Sequence, residues 1–255
     1  MVEIKTATEI ATMREAGRVV ARALAACRDA ATVGTSLKEL DEVARGVLAD
    51  AGARSSFLHY LPQFASTPYP AVICASVNEV IVHGIPGSYR LRDGDLLSVD
   101  FGAEVDGLHA DAAISFIVGT PDPADEELIA TARQALDAGI AAAQPGGRLG
   151  DIAHAIGTVG RKAGYGIPRD FGGHGIGRRM HEDPQVPNEG RPGRGLRLKP
   201  GLVLALEPMF MAGGSDDYFI DADGWSVVTT DGSRAAHVEH SVAITEDGPQ
   251  ILTLP

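Results

Sequence analysis

The chain has 255 residues, 44% hydrophobic and 22% charged, with a formal net charge of −12 at pH 7. That length gives ample material for a buried core, and the acidic balance argues against a general nucleic-acid binder, whose electrostatic footprint would be basic. Cys27 and Cys74 are the two cysteines, so no disulfide framework or CxxC motif exists, and neither a signal peptide nor an apolar run of roughly 20 residues is found; a cytoplasmic protein with no membrane span is expected.

Thr6 with Glu9 makes a capping box, and Ile10, Met13, Val20, Leu24 and Cys27 follow at helical spacing, which predicts a first amphipathic helix to about Asp29. Ser36 with Glu39 starts a second helix, whose face is Leu37, Leu40, Val43, Ala44, Val47 and Leu48 and whose stop is Gly52. Residues 71–77 read as a buried strand that runs into Asn78-Glu79-Val80-Ile81-Val82-His83-Gly84-Ile85-Pro86.

Residues 94–116 put charge inside strands that otherwise read as core. Asp100 closes the apolar run Leu96-Leu97-Ser98-Val99, and Asp111 lies between Ala110 and Ala112 ahead of Ile114 and Phe116. The turn residues Asp106-Gly107 between them predict a hairpin that brings both carboxylates to one site, where burial calls for a compensating cation. Taken alone, such a pair reads equally well as strand-end aspartates open to solvent.

Beyond a loop signal at 119–123 the chain repeats itself. The helix pair recurs 112 residues later: Gly34 matches Gly146, Leu37 matches Leu149, Glu39 matches Asp151, Leu40 matches Ile152, Val47 matches Val159 and Gly52 matches Gly164. Gly201-Leu202-Val203-Leu204-Ala205-Leu206-Glu207 follows the template of Gly94 to Asp100, and His237-Val238-Glu239-His240 that of His109-Ala110-Asp111-Ala112. The expectation is one domain over 1–255 with halves of about 1–120 and 121–255, and two helix pairs on one side of a sheet formed by both halves. A pseudo-two-fold axis would bring Asp100, Asp111, Glu207 and Glu239 together, and four like charges do not stay ionised there without metal.

His174 lies among Gly172, Gly173, Gly175 and Gly177, read as a loop with little side-chain bulk, and is a fifth candidate ligand. Carboxylates plus one imidazole, with no thiolate, favour harder divalent ions such as manganese or iron(II), and two ions fit five ligands if carboxylates bridge. Such a pair would activate a water or hydroxide and polarise a substrate carbonyl. His83 and His181 each stand three residues before a proline in loops beside ligand-bearing segments, which suits proton handling or binding of a substrate amide as well as a satisfied loop histidine. A polar loop is expected from Pro184 to Pro200, and from Tyr218 onward a set of strands with turns at Asp223-Gly224, Asp231-Gly232 and Asp247-Gly248.

The segments 78–86, Val99-Asp100-Phe101-Gly102, Asp111, Gly172-Gly173-His174-Gly175-Ile176-Gly177, His181-Glu182-Asp183-Pro184, Leu206-Glu207-Pro208-Met209 and Val238-Glu239-His240 together resemble the type I methionine aminopeptidases, through nearly the whole chain and in order. The resemblance implies the pita-bread fold, an α/β (α+β) architecture of duplicated halves with a pseudo-two-fold axis and an antiparallel central sheet carrying two helix pairs on its outer face. It implies a dinuclear centre of manganese, iron(II) or cobalt on Asp100, Asp111, His174, Glu207 and Glu239, with Asp111 and Glu239 bridging and Glu207 doubling as proton shuttle. His83 and His181 would contact the substrate peptide and the tetrahedral intermediate, and Tyr69, Cys74 and Trp225 would line the pocket for the methionine side chain. The implied reaction is co-translational removal of the initiator methionine when the second residue is small, by a monomer acting on N-terminal Met peptides and nascent chains.

Two departures stand out. Met180 occupies a place where many relatives have phenylalanine, which softens the pocket wall. No zinc-finger or proline-rich N-terminal extension is present, so any ribosome contact would fall to the basic loop of Arg178, Arg179, Arg191, Arg194, Arg197 and Lys199, whose ordinary reading is a solvated loop. Two other functions compete: an aminopeptidase P or prolidase of the same fold, which usually carries a large N-terminal domain where this chain has some 80 residues before the 78–86 motif, and a catalytically dead binding module, against which the full ligand set argues.

Overall fold

The computed structural model describes residues 2–62 and 65–255. Helix α1 (Ala7–Ala30) begins at the Thr6–Glu9 capping box, and α2 (Leu37–Ala51) at the Ser36–Glu39 box, ending on Gly52 in the left-handed conformation, φ 63°. Strands β1 (Arg54–Ser55), β2 (Ile73–Val77) and β3 (Val80–Val82) lead to the long hairpin of β4 (Leu96–Val105) and β5 (Leu108–Ile117). Asp106 and Gly107 at its tip have φ of 50° and 79°, the two positive values that a type I′ turn needs and that Asp-Gly provides at low cost.

The second half repeats this plan with α3 (Pro123–Ala142) and α4 (Leu149–Lys162). Glu39 and Asp151, matched in the sequence repeat, do the same work: each carboxylate accepts the backbone N–H three residues before it, Ser36 at 2.6 Å and Arg148 at 2.7 Å. Then follow β6 (Gly172–Gly175), β7 (Glu182–Pro187), β8 (Val203–Leu206), β9 (Met209–Met211), β10 (Tyr218–Ile220), β11 (Val227–Thr229), β12 (Ala235–His237), β13 (Glu239–Thr245) and β14 (Gly248–Ile251).

Among the described residues one antiparallel sheet of nine strands carries both halves, in the order β1-β4-β5-β13-β8-β6-β7, with β2 on β4 and β14 on β13. The halves meet where β5 pairs with β13, His240 opposite Ala112 and Glu239 opposite Ala113. A local two-fold through the Ala112–His240 pair therefore relates Asp111 to Glu239. Each helix pair covers its own half of the sheet: Val19, Val20, Leu24, Leu40 and Ala44 pack on Ile73, Val99 and Phe101, and Leu128, Leu136, Ile152 and Ile156 pack with Leu204, Leu206, Val242 and Ile244. Both clusters are buried and apolar, so the sheet that presents the acids is held rigid from behind. No helix among the described residues is long and apolar enough to cross a membrane.

The glycine-rich segment around His174 is a strand, not a loop. A Cβ at Gly173 would run into the carbonyl oxygen of Ala205, and one at Gly175 into that of Asp183, so these glycines let β6 lie close between β8 and β7. The expected polar loop after His181 contains β7, an edge strand whose Glu-Asp-Pro-Gln-Val-Pro sequence shows no alternation to betray it; prolines are tolerated there because an edge leaves N–H positions without a ladder partner. β7 also splits the basic residues into two places. Arg178 pairs with Glu9 of α1, whereas the 191–199 segment packs on the start of α4, Gly150 donating to Arg194 O at 2.9 Å and Gly193 to Asp151 at 2.7 Å.

One buried ion pair, absent from the sequence reading, fixes the segment between β6 and β7. Lys5, anchored by its backbone N–H to Gly201 O at 2.7 Å, reaches under Gly177 to Glu182, and the two side chains are 3% and 2% exposed. Glu182 also accepts the N–H of Arg179 at 3.1 Å. Removing one partner leaves a buried charge alone, so Lys5→Ala is expected to lower unfolding free energy by about 3–5 kcal/mol, and Lys5→Met combined with Glu182→Gln to recover most of it. Urea denaturation of the three proteins checks this; equal midpoints for Lys5→Ala and parent would refute it.

Candidate metal centre

The acids lie where the two-fold brings the halves together. Asp111 is pinned at its backbone by Ser241 of the neighbouring strand, which accepts its N–H at 2.9 Å and donates to its carbonyl at 2.8 Å. Glu239 opens β13, Glu207 follows β8, and Asp100 sits on β4 opposite Ala113. Asp111, Asp100 and Glu239 are 2%, 9% and 1% exposed. An oxygen of each (Asp100 Oδ1, Asp111 Oδ1, Glu239 Oε1) has no hydrogen-bond partner.

His174 completes the cluster from β6. Its Nδ1 lies 2.9 Å from Gly175 O; a carbonyl only accepts, so Nδ1 carries the proton and Nε2 presents a bare lone pair. That lone pair faces Asp111 Oδ2 at 4.0 Å and Glu207 Oε1 at 3.7 Å. A lone pair turned toward carboxylate oxygens, with further oxygens unpartnered around it, is repulsive unless a cation lies between. Ligand atoms of Asp111, His174 and Glu239 fall within 4.8 Å of one another, as do those of Glu207, His237 and Glu239. The donor set of carboxylates and imidazole fits a divalent cation.

The protonation states of the metal-free cluster follow from the same crowding. Burial first, then the charges of Asp111 and Glu207, push Asp100 well above the usual carboxylate range; burial likewise raises Glu239 and Glu207, and Asp111 to about 7. Burial has the opposite sign on imidazoles, moving His83 and His174 down to about 4 and His237 to about 3.

The structure brings the other predicted residues to the rim. His181 is exposed at the mouth, its ring stacked on Tyr60 at 5.1 Å and 4.1 Å from the ring of His174. His83, with φ of 62°, turns its ring between Phe171 at 5.9 Å and Trp225 at 6.1 Å. Tyr69, Cys74, Met180 and Trp225 belong to one buried apolar cluster, with Tyr69 and Trp225 edge to face at 4.9 Å. Their polar ends are already engaged by backbone: the Tyr69 hydroxyl lies 2.9 Å from Ile73 O and Gly84 O, and Trp225 Nε1 donates to Thr67 O at 3.1 Å. Burial keeps the Cys74 thiol protonated. Cys74 pairs in register with Asp100, so this apolar wall adjoins the acids directly.

Sequence reasoning missed His237. Its Nε2 lies 3.3 Å from Glu207 Oε2, and the signal was its position two residues before Glu239, one side-chain period along an extended chain. The same spacing misleads at His109, whose Nδ1 instead bonds Ser56 Oγ at 2.8 Å.

Residues 11–246 match Metallopeptidase family M24. Over 257 residues the chain is 52% identical to Methionine aminopeptidase 1 of Mycobacterium tuberculosis (strain CDC 1551 / Oshkosh), with 98% of this chain and 94% of that protein covered. Its fold superposes on a crystal structure of methionine aminopeptidase from Thermotoga maritima with a TM-score of 0.95 at 40% identity over 100% of both chains. Prolidase from Pyrococcus furiosus shares the fold alone, with a TM-score of 0.77 at 22% identity over 99% of this chain and 65% of that one. The chain belongs to metallopeptidase family M24, the pita-bread enzymes, and within it to the type I methionine aminopeptidases.

The raised carboxyls give a pH signature. In the folded metal-free state Asp111 holds its proton up to about 7, against 3.8 unfolded, so the native state binds the extra proton and stability falls as pH rises through that window. The buried histidines act oppositely, but their contribution is complete above their unfolded value of 6.5. Between pH 6.5 and about 8 metal-stripped protein is therefore expected to lose stability, and saturating divalent metal to abolish the loss. Melting curves identical with and without metal across this range would contradict the assignment.

Proposed function

We propose that the protein removes N-terminal methionine from peptides and nascent chains whose second residue is small, as a single catalytic unit over 1–255. The observation that carries this reading is the adjacency, through the Cys74–Asp100 pair, of a buried acid–imidazole cluster with unpartnered oxygens and a buried apolar wall of Tyr69, Cys74, Met180 and Trp225. Asp100, Asp111, His174, Glu207 and Glu239 would hold two divalent ions, of manganese, iron(II) or cobalt. When bound, the ions polarise the substrate carbonyl and supply a nucleophilic water at neutral pH.

The chain's own residues do the rest. The thioether of the first residue packs on Tyr69, Cys74, Met180 and Trp225, where sulfur and aromatic surface suit it. His83, sharing the Trp225 wall, and His181, beside His174, bind the peptide and the carbonyl oxygen that becomes charged when the nucleophile adds. Glu207 carries the proton to the leaving amine. The second residue lies against the acids and His83, where little room remains. Arg179, Arg191, Arg194 and Lys199 are exposed; they serve as solvated surface, with transient ribosomal RNA contact as the second use. A prolidase reading is disfavoured by the gap between 52% and 22% identity.

Metal-stripped protein is expected to be inactive until manganese, iron(II) or cobalt is added, and then to cleave Met-Gly and Met-Ala peptides but neither Met-Leu nor X-Pro. Full activity in a preparation shown metal-free by elemental analysis would end this reading. His83→Ala and His181→Ala should each lower turnover by roughly 10²–10⁴-fold with metal content intact, as expected for positioned proton-transfer or hydrogen-bonding groups; loss of metal in either would make that histidine a ligand instead.

Met180 gives a separate test of the pocket. Methionine and norleucine at the first position should differ modestly in the parent, within the roughly 1–3 kcal/mol that an apolar pocket assigns to a small change. Met180→Phe should change this first-position preference while Gly, Ala and Leu at the second position keep their order. A reordered second-position series with unchanged first-position preference would move Met180 out of the methionine pocket.

A further inference from the structure

His237 is a buried ring beside the cluster to which the chemistry above gives no task. It ends β12 at 1% exposure, and a single hydroxyl of the other half clamps its backbone: its N–H donates to Ser115 Oγ at 3.0 Å, and Ser115 Oγ donates to its carbonyl at 2.7 Å. Ser98 Oγ, 2.7 Å from Ser115 Oγ, backs this hydroxyl in turn. The ring direction is thus set by β4 and β5 rather than left to a loop. Its Nε2 points between two carboxylates, 3.3 Å from Glu207 Oε2 and 4.0 Å from Glu239 Oε2, and has no hydrogen-bond partner.

A buried ring nitrogen without a partner costs free energy comparable to a lost hydrogen bond, so the contact has to be completed by some state of the site. Glu207 is the group that can complete it. One of its oxygens, Oε1, faces His174 at 3.7 Å, and the other faces His237. A carboxylate that ligates a metal through one side is ordinarily held by a hydrogen bond from outside the metal's own ligand set, and loss of that bond weakens metal binding. We propose that His237 is a positioning residue for Glu207: as the Nε2–H tautomer it donates to Oε2 and fixes the carboxylate between two imidazoles, His174 on the metal side and His237 behind. The role rests on the reading of Glu207 as a metal ligand. Direct ligation by His237 is the rival, since Glu207, His237 and Glu239 lie close enough to share a cation.

Two variants separate these roles. His237→Leu fills the space with no polar atom, and His237→Gln restores an N–H of similar reach on an amide that is a poor ligand for these ions. Calorimetric titration of metal-stripped protein with cobalt(II) and manganese(II) is the primary readout, with melting curves of the stripped proteins to confirm folding. The Leu variant is expected to bind metal about 10–100-fold more weakly, the range for losing a supporting hydrogen bond, and the Gln variant to recover most of that affinity. In the loaded enzymes the Leu change should lower kcat more than it alters KM. Parent-like affinity in the Leu variant would overturn the proposal, and a Gln variant as weak as Leu would overturn it in favour of direct ligation. If the Leu variant does not fold, His237→Asn, whose amide is too short to reach Glu207, takes its place with the same expected loss. A parent protein that binds neither ion would remove the metal centre itself, a failure distinct from either variant result.

Discussion

The constraint on which this structure depends is the burial of four carboxylates at the junction of two half-sheets. Each of Asp100, Asp111, Glu207 and Glu239 has lost much of its water, and the charges of Asp111 and Glu207 further raise the cost of ionising Asp100 and Glu239. Without a cation the cluster keeps protons into the neutral range, which is an expensive way to fill the centre of a sheet. Divalent metal at the site would turn these repulsions into attractions. The folding energy of the rest of the molecule must therefore hold this repulsive arrangement together until metal arrives.

The duplicated architecture meets that demand by rigidity. Asp111 and Glu239 lie on paired central strands related by the local two-fold; the buried hydroxyl of Ser241 ties β13 to β5 at Asp111, and that of Ser115 ties β5 to the end of β12 at His237. Behind the sheet, each helix pair supplies a buried apolar layer. On the flank, glycines at 173 and 175 allow β6 to lie close to its neighbours, so that His174 is delivered from a ladder with its tautomer set by Gly175. A ligand on a strand with a fixed tautomer costs less reorganisation on metal binding than one on a free loop.

In the proposed reading, selectivity arises from an asymmetry around the same centre. On one side Tyr69, Cys74, Met180 and Trp225 present apolar faces because their hydroxyl and indole N–H already serve backbone carbonyls and the thiol stays protonated. Rings with polar edges border this apolar wall: His83 meets Trp225 at 6.1 Å, His181 lies 4.1 Å from the ring of His174, and His237 Nε2 lies 3.3 Å from Glu207 Oε2. Under that proposal, a peptide lays an apolar, unbranched first side chain on this wall while its carbonyl reaches the acids. The buried Lys5–Glu182 pair matters here because it fixes the segment that carries both Met180 and His181.

Much of this was legible along the chain because it is written in local chemistry. Capping boxes at Thr6 and Ser36, the Asp106-Gly107 turn, the repeat linking Glu39 to Asp151, and acids closing apolar runs each depend on residues within one turn or one strand, so spacing alone reveals them. The family was legible too, since the acids and His174 sit in segments whose order resembles it. What tertiary structure alone decided depends on partners far apart in sequence. Strand β6 exists because glycine lets it approach Ala205 and Asp183, and β7 because it is an edge, neither of which alternation can show. Lys5 finds Glu182 across 177 residues, and His237 finds Glu207 while its repeat mate His109 turns to Ser56. A side chain's period fixes which face it takes; which charge it meets on that face is settled only when strands from distant parts of the chain pair, because electrostatic and hydrogen-bond energies depend on distances of a few ångströms that sequence separation does not encode.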